Sequence, residues 1–158
     1  MTQIAVAGNL TLDLPEGFTV MEKDEAQRAF ALKSDCVWAA RDRERHIVFS
    51  CIWKDSSALL GKLTTLNSLI EHVERGIRAA YKNDGYNTDN RFETQIAGQK
   101  AKGFSFSYTI GETGQCGEAV VFRDGNRTYT LYYYTRPEFL EGNQEVRDAL
   151  FDSIALGA

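Results

Sequence analysis

Apolar and polar residues alternate in several stretches of the chain, and this period of two is typical of half-buried β-strands. The first such stretch covers residues 9–14, where leucines occupy every second position, and it ends at the turn-forming sequence Pro15-Glu16-Gly17. A short extended piece is expected at residues 18–20, which alternate again. Residues 22–27 are almost entirely polar and predict a loop.

Residues 30–53 predict a β-hairpin with a charged, solvated turn at residues 41–45. No Asn-Gly or Asp-Gly sequence fixes the register of this turn. A two-residue tip at Arg43 and Glu44 would set two pairs of residues opposite each other, and aromatic pairs of this kind stabilise sheets. The expected pairs are Cys36 with Cys51 and Trp38 with Phe49.

The clearest helical pattern lies between residues 59 and 80, where apolar residues recur at alternating steps of four and three. The positions concerned are Leu59, Leu63, Leu66, Ile70, Val73, Ile77 and Ala80. Gly61 disfavours an early start, and Asn83-Asp84-Gly85 favours an end. We therefore predict one long helix over about 65–82. A coiled-coil seam is the alternative, but a single long helix favours packing on a sheet.

The second half of the chain predicts further strands and a closing helix. The strands are expected at residues 91–96, 103–110, 120–123 and 128–135, with a glycine-rich connection at 111–117 and a turn at Asp124-Gly125. The helix is expected over about 143–155, capped by Gly142 or Asn143, with Val146, Leu150 and Ile154 on its apolar side. The fold class is therefore α+β, an antiparallel sheet of about six strands with two helices packed on it, in a single domain covering residues 1–158.

This order of elements resembles the PsbP-like fold. The closest matching segments are residues 12–18, 96–98 and 135–139. The fold is shared by photosystem accessory proteins, Ran-binding Mog proteins, DcrB lipoproteins and chaperones of type VI secretion effectors. The resemblance implies an antiparallel sheet with helices on its faces, and accessory, adaptor or chaperone roles more often than catalysis. The sequence has no lipobox, which argues against the DcrB type of lipoprotein.

Composition narrows the class of protein. The net charge of −4 and the pI of about 5.2 argue against a nucleic-acid partner, because phosphate binding requires a basic surface. No apolar run approaches the roughly 20 residues that span a bilayer, so no membrane insertion is expected. The N-terminus lacks the basic start of a signal peptide, and the three scattered cysteines fit a reducing compartment. We therefore expect a cytoplasmic protein.

No residue pattern predicts catalysis or a cofactor. The glycines at 111, 114 and 117 lead into a strand, whereas a phosphate-binding loop leads into a helix. The two histidines, His46 and His72, do not stand beside a nucleophile in any known motif, and His72 is expected to face solvent. If Cys36 and Cys51 are neighbours, His46 would be a third possible metal ligand beside them. These three residues lack the C-x-x-C spacing of common metal sites, so buried thiols that pack as small hydrophobes are the favoured interpretation. We predict that the protein is not an enzyme.

Aromatic residues are the strongest candidates for binding. Tyr132 and Tyr134 share one face of a predicted strand, and Phe106 and Tyr108 are expected close by. Together with Trp53 they form the predicted site, which suits recognition of a protein or peptide. The alternative is that helices cover both faces of the sheet. Two other functions stay open: a small-molecule or enzymatic site between the sheet and the long helix, and self-association through an exposed sheet face or edge.

Overall fold

The computed structural model describes residues 1–29, 35–57, 59 and 63–157. Within these ranges the chain forms an α+β fold of ten antiparallel strands and four helices whose bounds are described. The strands are Thr2–Ala7 (β1), Leu10–Leu14 (β2), Thr19–Val20 (β3), Val37–Asp42 (β4), Ile47–Asp55 (β5), Asn87–Ile96 (β6), Gln99–Ile110 (β7), Thr113–Asp124 (β8), Arg127–Thr135 (β9) and Ala155–Leu156 (β10). The helices are Lys23–Ala29 (α1), Leu66–Ala80 (α2), Pro137–Leu140 (α3) and Gln144–Asp152 (α4).

Two sheets divide the strands between them. The larger has seven strands in the order β3-β4-β5-β9-β8-β7-β6, and the smaller has three in the order β1-β2-β10. The main core lies between the two sheets and includes the fully buried Leu10, Leu12 and Leu131, with Leu150 from α4. A second core lies under α2, where Ile77 packs on the opposite face of the large sheet. This face, which carries α1 and α2, is called the outer face below, and the face toward the small sheet is called the inner face.

The strand count exceeds the predicted six because pairing extends beyond the alternating stretches. The small sheet adds β1, which pairs with β2, and β10, in which Leu156 lies opposite Leu10. Strand β8 begins at Thr113, so most of the expected glycine-rich connection is strand. At Gly117 an added Cβ would collide with the Tyr133 carbonyl oxygen, so this glycine permits close packing in the sheet.

The prediction of a loop at residues 22–27 is wrong, because Lys23–Ala29 forms helix α1. Its Ala26 is 1% exposed and packs with Met21, Val37 and Ala39 at the edge of the large sheet. One buried alanine in a short helix produces too little apolar periodicity to read from sequence.

The register of the β4–β5 hairpin differs by two residues from the prediction. Trp38 lies opposite Cys51, because the connection spans residues 43–46 rather than a two-residue tip. The Asp42 carboxylate fixes this connection by accepting hydrogen bonds from the backbone N–H groups of Glu44 and Arg45 at 3.0 and 3.1 Å. A shift of two keeps every side chain on its expected face. The expected contact between Trp38 and Phe49 therefore survives as an edge-to-face pair at 6.4 Å, while residues 30–34 lie outside the described part of the chain.

The two predicted helices are present with shorter bounds. Helix α2 spans Leu66–Ala80, and the Thr65 hydroxyl caps it by accepting from the Ser68 N–H at 3.1 Å. Helix α4 spans Gln144–Asp152 and ends early because residues after Ser153 turn into β10. Asn143 is the N-cap residue by position, but its amide donates to the Arg45 carbonyl at 2.9 Å and thereby joins α4 to the hairpin connection.

Candidate functional site

A groove on the outer face follows from the width of the large sheet. Strands lie about 4.8 Å apart and a helix is about 10 Å wide, so one helix covers roughly two strands. Helix α2 contacts β7 and β8, and α1 contacts β4. Strands β5 and β9 lie between these pairs in the sheet, so neither helix sits directly over them.

Two adjoining cavities occupy the space between the helices. One has a volume of about 360 Å³ and the other about 560 Å³. They share the lining residues Ile52, His72, Val73 and Tyr132, so they form one elongated groove above β5 and β9. We call this the outer groove.

Tyr132 and Tyr134 both line the outer groove and are half-buried. Their rings stack on each other with centroids 6.2 Å apart. Burial raises the pKa of Tyr132 to about 12. It also raises the pKa of Tyr134, and the neighbouring tyrosines raise it further. Both side chains therefore stay neutral near pH 7 and offer apolar rings with polar tips.

Phe106 and Tyr108 support the groove from below. Phe106 is fully buried and meets the Tyr134 ring edge-on at 5.6 Å. Tyr108 is 6% exposed and stacks under Tyr81 with centroids 3.9 Å apart, and burial raises its pKa. These two predicted binding residues are thus near Tyr134 as expected, but they are covered and position it rather than face the groove.

Trp53 is not grouped with the other predicted site residues. It lies opposite Tyr129 across β5 and β9 and packs against the inner core. Because successive side chains on a strand point to opposite faces, Trp53 and Ile52 face opposite ways. Ile52 is therefore the β5 residue that lines both cavities of the outer groove, whereas Trp53, Lys54 and Asp55 border only the larger one. The sequence does not single out Ile52, because the two faces of β5 do not differ clearly in composition.

The helical wall of the groove contains small residues. Gly76 and Ala80 of α2 and Ala29 of α1 line the cavity beside Tyr134. No atom lies within 4 Å of the position that a Cβ on Gly76 would take. A glycine inside a helix costs about 1 kcal/mol relative to alanine, so this position sacrifices helix stability and leaves open space above the groove.

Charged side chains hold α2 over the sheet. Glu74 is 4% exposed and accepts hydrogen bonds from Arg91 of β6, from Arg78 at 3.1 Å and from the Thr88 hydroxyl at 2.7 Å. This network ties the helix to the edge strand of the sheet and fixes the position of the groove's helical wall. Glu74 and Arg78 form an i,i+4 ion pair in which the acidic residue comes first, the favourable order on a helix.

Histidines and cysteines are dispersed. His72 is exposed as expected, and it borders the groove. His46 stacks on Phe139 with centroids 4.7 Å apart. The Cys36 carbonyl oxygen accepts a hydrogen bond from the backbone N–H of Trp53, so Cys36 is not opposite Cys51. Burial raises the pKa of the Cys51 thiol. Among the described residues there is no group of three His, Cys, Asp or Glu side chains that could hold a metal ion.

Comparisons with known proteins identify the fold through structure. No family model matches the sequence, and no curated protein matches it. The solution structure of cyanobacterial PsbP (CyanoP) from Synechocystis sp. PCC 6803 is similar with a TM-score of 0.70 at 16% identity, over 94% of this chain and 87% of that chain. LpqN of Mycobacterium tuberculosis, involved in cell envelope biogenesis, is similar with a TM-score of 0.64 at 9% identity, over 94% and 83%.

A third solved structure covers less of both proteins. It is the type VI secretion system immunity protein TplEi from Pseudomonas aeruginosa, with a TM-score of 0.50 at 12% identity, over 76% of this chain and 43% of that chain. None of the described helices is long and apolar enough to cross a membrane.

The agreement in structure over nearly the whole chain, at identities too low to carry function, confirms the expected architecture: the chain has a PsbP-like fold.

Proposed function

We propose that this protein is a non-catalytic accessory domain that binds an apolar segment of another protein in the outer groove. The observation that carries the proposal is the elongated groove over β5 and β9, floored by the half-buried rings of Tyr132 and Tyr134. Solved structures of similar fold that include an immunity protein and a protein involved in cell envelope biogenesis are consistent with an accessory domain.

The chemistry of the lining favours a polypeptide segment. Ile52, Val73, Tyr132 and Tyr134 supply apolar area, and tyrosine is enriched where proteins recognise one another. The open space over Gly76 gives room for a side chain of a partner. The two cavities join through shared lining residues into one elongated groove, and this shape suits an extended or helical segment.

An enzymatic site is less well supported. The histidine that borders the groove is His72, which is exposed on α2. It has no nucleophile or carboxylate hydrogen-bonded to it in the described part of the chain. A catalytic role requires such partners within hydrogen-bond reach.

The test fills the groove without removing any contact of the fold. Gly76→Trp places a large ring where the structure has open space, and it replaces a residue of poor helix propensity. We expect at least about a tenfold loss of captured partner from native lysate, as measured by quantitative mass spectrometry. Tyr132→Ser with Tyr134→Ser should cause a similar loss by removing the groove floor.

Two controls separate groove blocking from other effects. Ala79→Trp adds the same ring to an exposed position of α2 that does not line the groove. Gly76→Ala raises helix propensity with little added bulk. Both should capture the partner as the wild type does. A partner held equally by Gly76→Trp and Ala79→Trp would contradict the proposal. A dimer mass that disappears in Gly76→Trp would identify a second copy as the occupant.

A further inference from the structure

A basic pocket lies beside the outer groove, where the β4–β5 connection turns at the end of the large sheet. Val48 lies opposite Tyr134 on β9 and opposite Arg41 on β4. A cavity of about 380 Å³ next to this row is lined by Val48 and by a set of polar and basic side chains. They are Arg41, Arg43, His46, Gln115 and Arg136. Tyr134 lines the smaller, largely apolar cavity of the outer groove and therefore marks the point where that cavity meets the basic pocket.

The pocket carries positive charge that the protein does not neutralise. Arg43 and Arg136 form no ion pair with any described residue. Arg41 pairs with Glu25 of α1 at 3.2 Å, and both side chains stay partly exposed. In a chain with a net charge of −4, two unpaired guanidinium groups in one cavity are a local excess of positive charge.

The acidic residue in the lining does not cancel this charge. Asp42 is 2% exposed, and its carboxylate is already occupied. It accepts from the Arg45 guanidinium at 2.7 Å as well as from two backbone N–H groups of the connection. Asp42 therefore serves to hold the connection that carries Arg43. Glu44, which lines the neighbouring cavity, is exposed at the surface.

The backbone around the pocket is held in place. His46 adopts a positive φ of 57°, and its ring stacks on Phe139 of α3 at 4.7 Å. The Asn143 amide donates to the Arg45 carbonyl and to the Thr135 hydroxyl, at 2.9 and 3.1 Å. A connection fixed from several sides limits the ordering that a ligand must impose when it binds.

From this geometry we infer that the basic pocket binds carboxylate side chains of the same protein segment whose apolar residues occupy the outer groove. The inference rests on the proposed function. Guanidinium groups bind carboxylates through paired, charge-assisted hydrogen bonds. The partner segment then carries apolar residues beside Tyr132 and Tyr134, followed by Asp or Glu beyond Tyr134. The charge also sets the direction in which the segment lies.

The test begins with selection of peptides from a random displayed library on the immobilised full chain. We expect enriched sequences that combine an apolar cluster with Asp or Glu on one side of it. A synthetic enriched peptide is then compared with a matched peptide in which Gln and Asn replace Glu and Asp. Fluorescence anisotropy should show about tenfold weaker binding of the neutral peptide to the wild type.

The variant Arg43→Gln with Arg136→Gln should bind the two peptides equally. Its control, Lys82→Gln with Lys100→Gln, changes the net charge by the same amount at exposed positions outside the pocket. The control should keep the preference for the acidic peptide. Gly76→Trp should lose both peptides, because it blocks the groove.

The outcomes separate the two proposals. If no sequences are enriched, the proposed function fails and this inference falls with it. If the enriched sequences are apolar without acidic residues, or if the Arg variant keeps the acidic preference, this inference alone is overturned. Calorimetric titration with inorganic phosphate gives the remaining arm. Phosphate binding that depends on Arg43 and Arg136, without any preference among peptides, would identify a small-anion pocket and overturn the inference.

Discussion

Tyr133 and Tyr132 are neighbours on β9, yet they lie on opposite faces of the large sheet and in different surroundings. Tyr133 is 1% exposed in the inner core, where its ring meets that of Phe151 from α4 at 6.4 Å. Tyr132 is half-buried and lines the outer groove. The same residue type is thus a core residue on one face and a candidate contact residue on the other.

The difference arises from what covers each face. The small sheet and α4 lie over the inner face, and their leucines fill the space with apolar contacts. Two separate helices cover the outer face and leave β5 and β9 between them. A helix covers fewer strands than a second sheet does. The comparison shows that a wide sheet with helical cover retains an open strip, and that this strip is the place to look for binding.

The largest expected effect tests whether the inner face carries the stability. Leu131 is fully buried in the inner core, while its neighbour Thr130 faces outward and lines the groove. Leu131→Ala should lower the free energy of unfolding by about 3 kcal/mol, through lost burial and a residual cavity. Thr130→Ala should change it by less than about 1 kcal/mol. Urea denaturation measures both, and equal losses would contradict the comparison.

A smaller effect tests how the outer cover is held. Glu74→Gln removes the buried charge that Arg91, Arg78 and Thr88 contact. We expect a loss of about 2 kcal/mol in the free energy of unfolding, typical of hydrogen bonds to a charged group. Glu71→Gln, at an exposed position on the same helix, should cost less than about 0.5 kcal/mol.

Salt dependence distinguishes this ion network from apolar packing. Arg91 and Arg78 are more than half exposed, so salt should screen part of their attraction to Glu74. The stability difference between wild type and Glu74→Gln should therefore shrink at about 1 M salt. The loss of unfolding free energy caused by Leu131→Ala should not shrink. If salt changed the losses in Leu131→Ala and Glu74→Gln alike, the result would contradict an electrostatic role for Glu74.

The smallest effect concerns pH. The folded chain raises the pKa of Tyr132 from 10.0 to about 12 through burial, so the unfolded chain releases this proton first. The contribution of the protonated Tyr132 hydroxyl to the free energy of unfolding is fully present below pH 10 and is lost as the pH rises toward about 12. Tyr132→Phe should make the alkaline fall in unfolding free energy shallower, by at most about 1.4 kcal/mol per pH unit. Denaturation at a series of alkaline pH values measures this slope, and identical slopes would show that Tyr132 is not shielded from water.

Sequence patterns determined the parts of this protein that depend on local periodicity. The alternation of Tyr129, Leu131 and Tyr133 with Tyr132 and Tyr134 fixed which residues share a face, and the structure confirms it. The four-and-three spacing predicted α2, and the order of elements predicted the PsbP-like fold. Side-chain direction repeats every two residues in a strand and every 3.6 in a helix, so the sequence itself carries this information.

Only the tertiary structure decided what covers each face. The sequence did not show that Trp53 packs against the inner core while Ile52 lines both cavities of the groove. It also did not show that Phe106 and Tyr108 are covered while Tyr132 is partly open. It also could not bring Arg43 and Arg136 into one pocket, because 93 positions separate them in the chain. Exposure and convergence depend on strand order and on the reach of the covering helices, and both are set by contacts between residues distant in sequence.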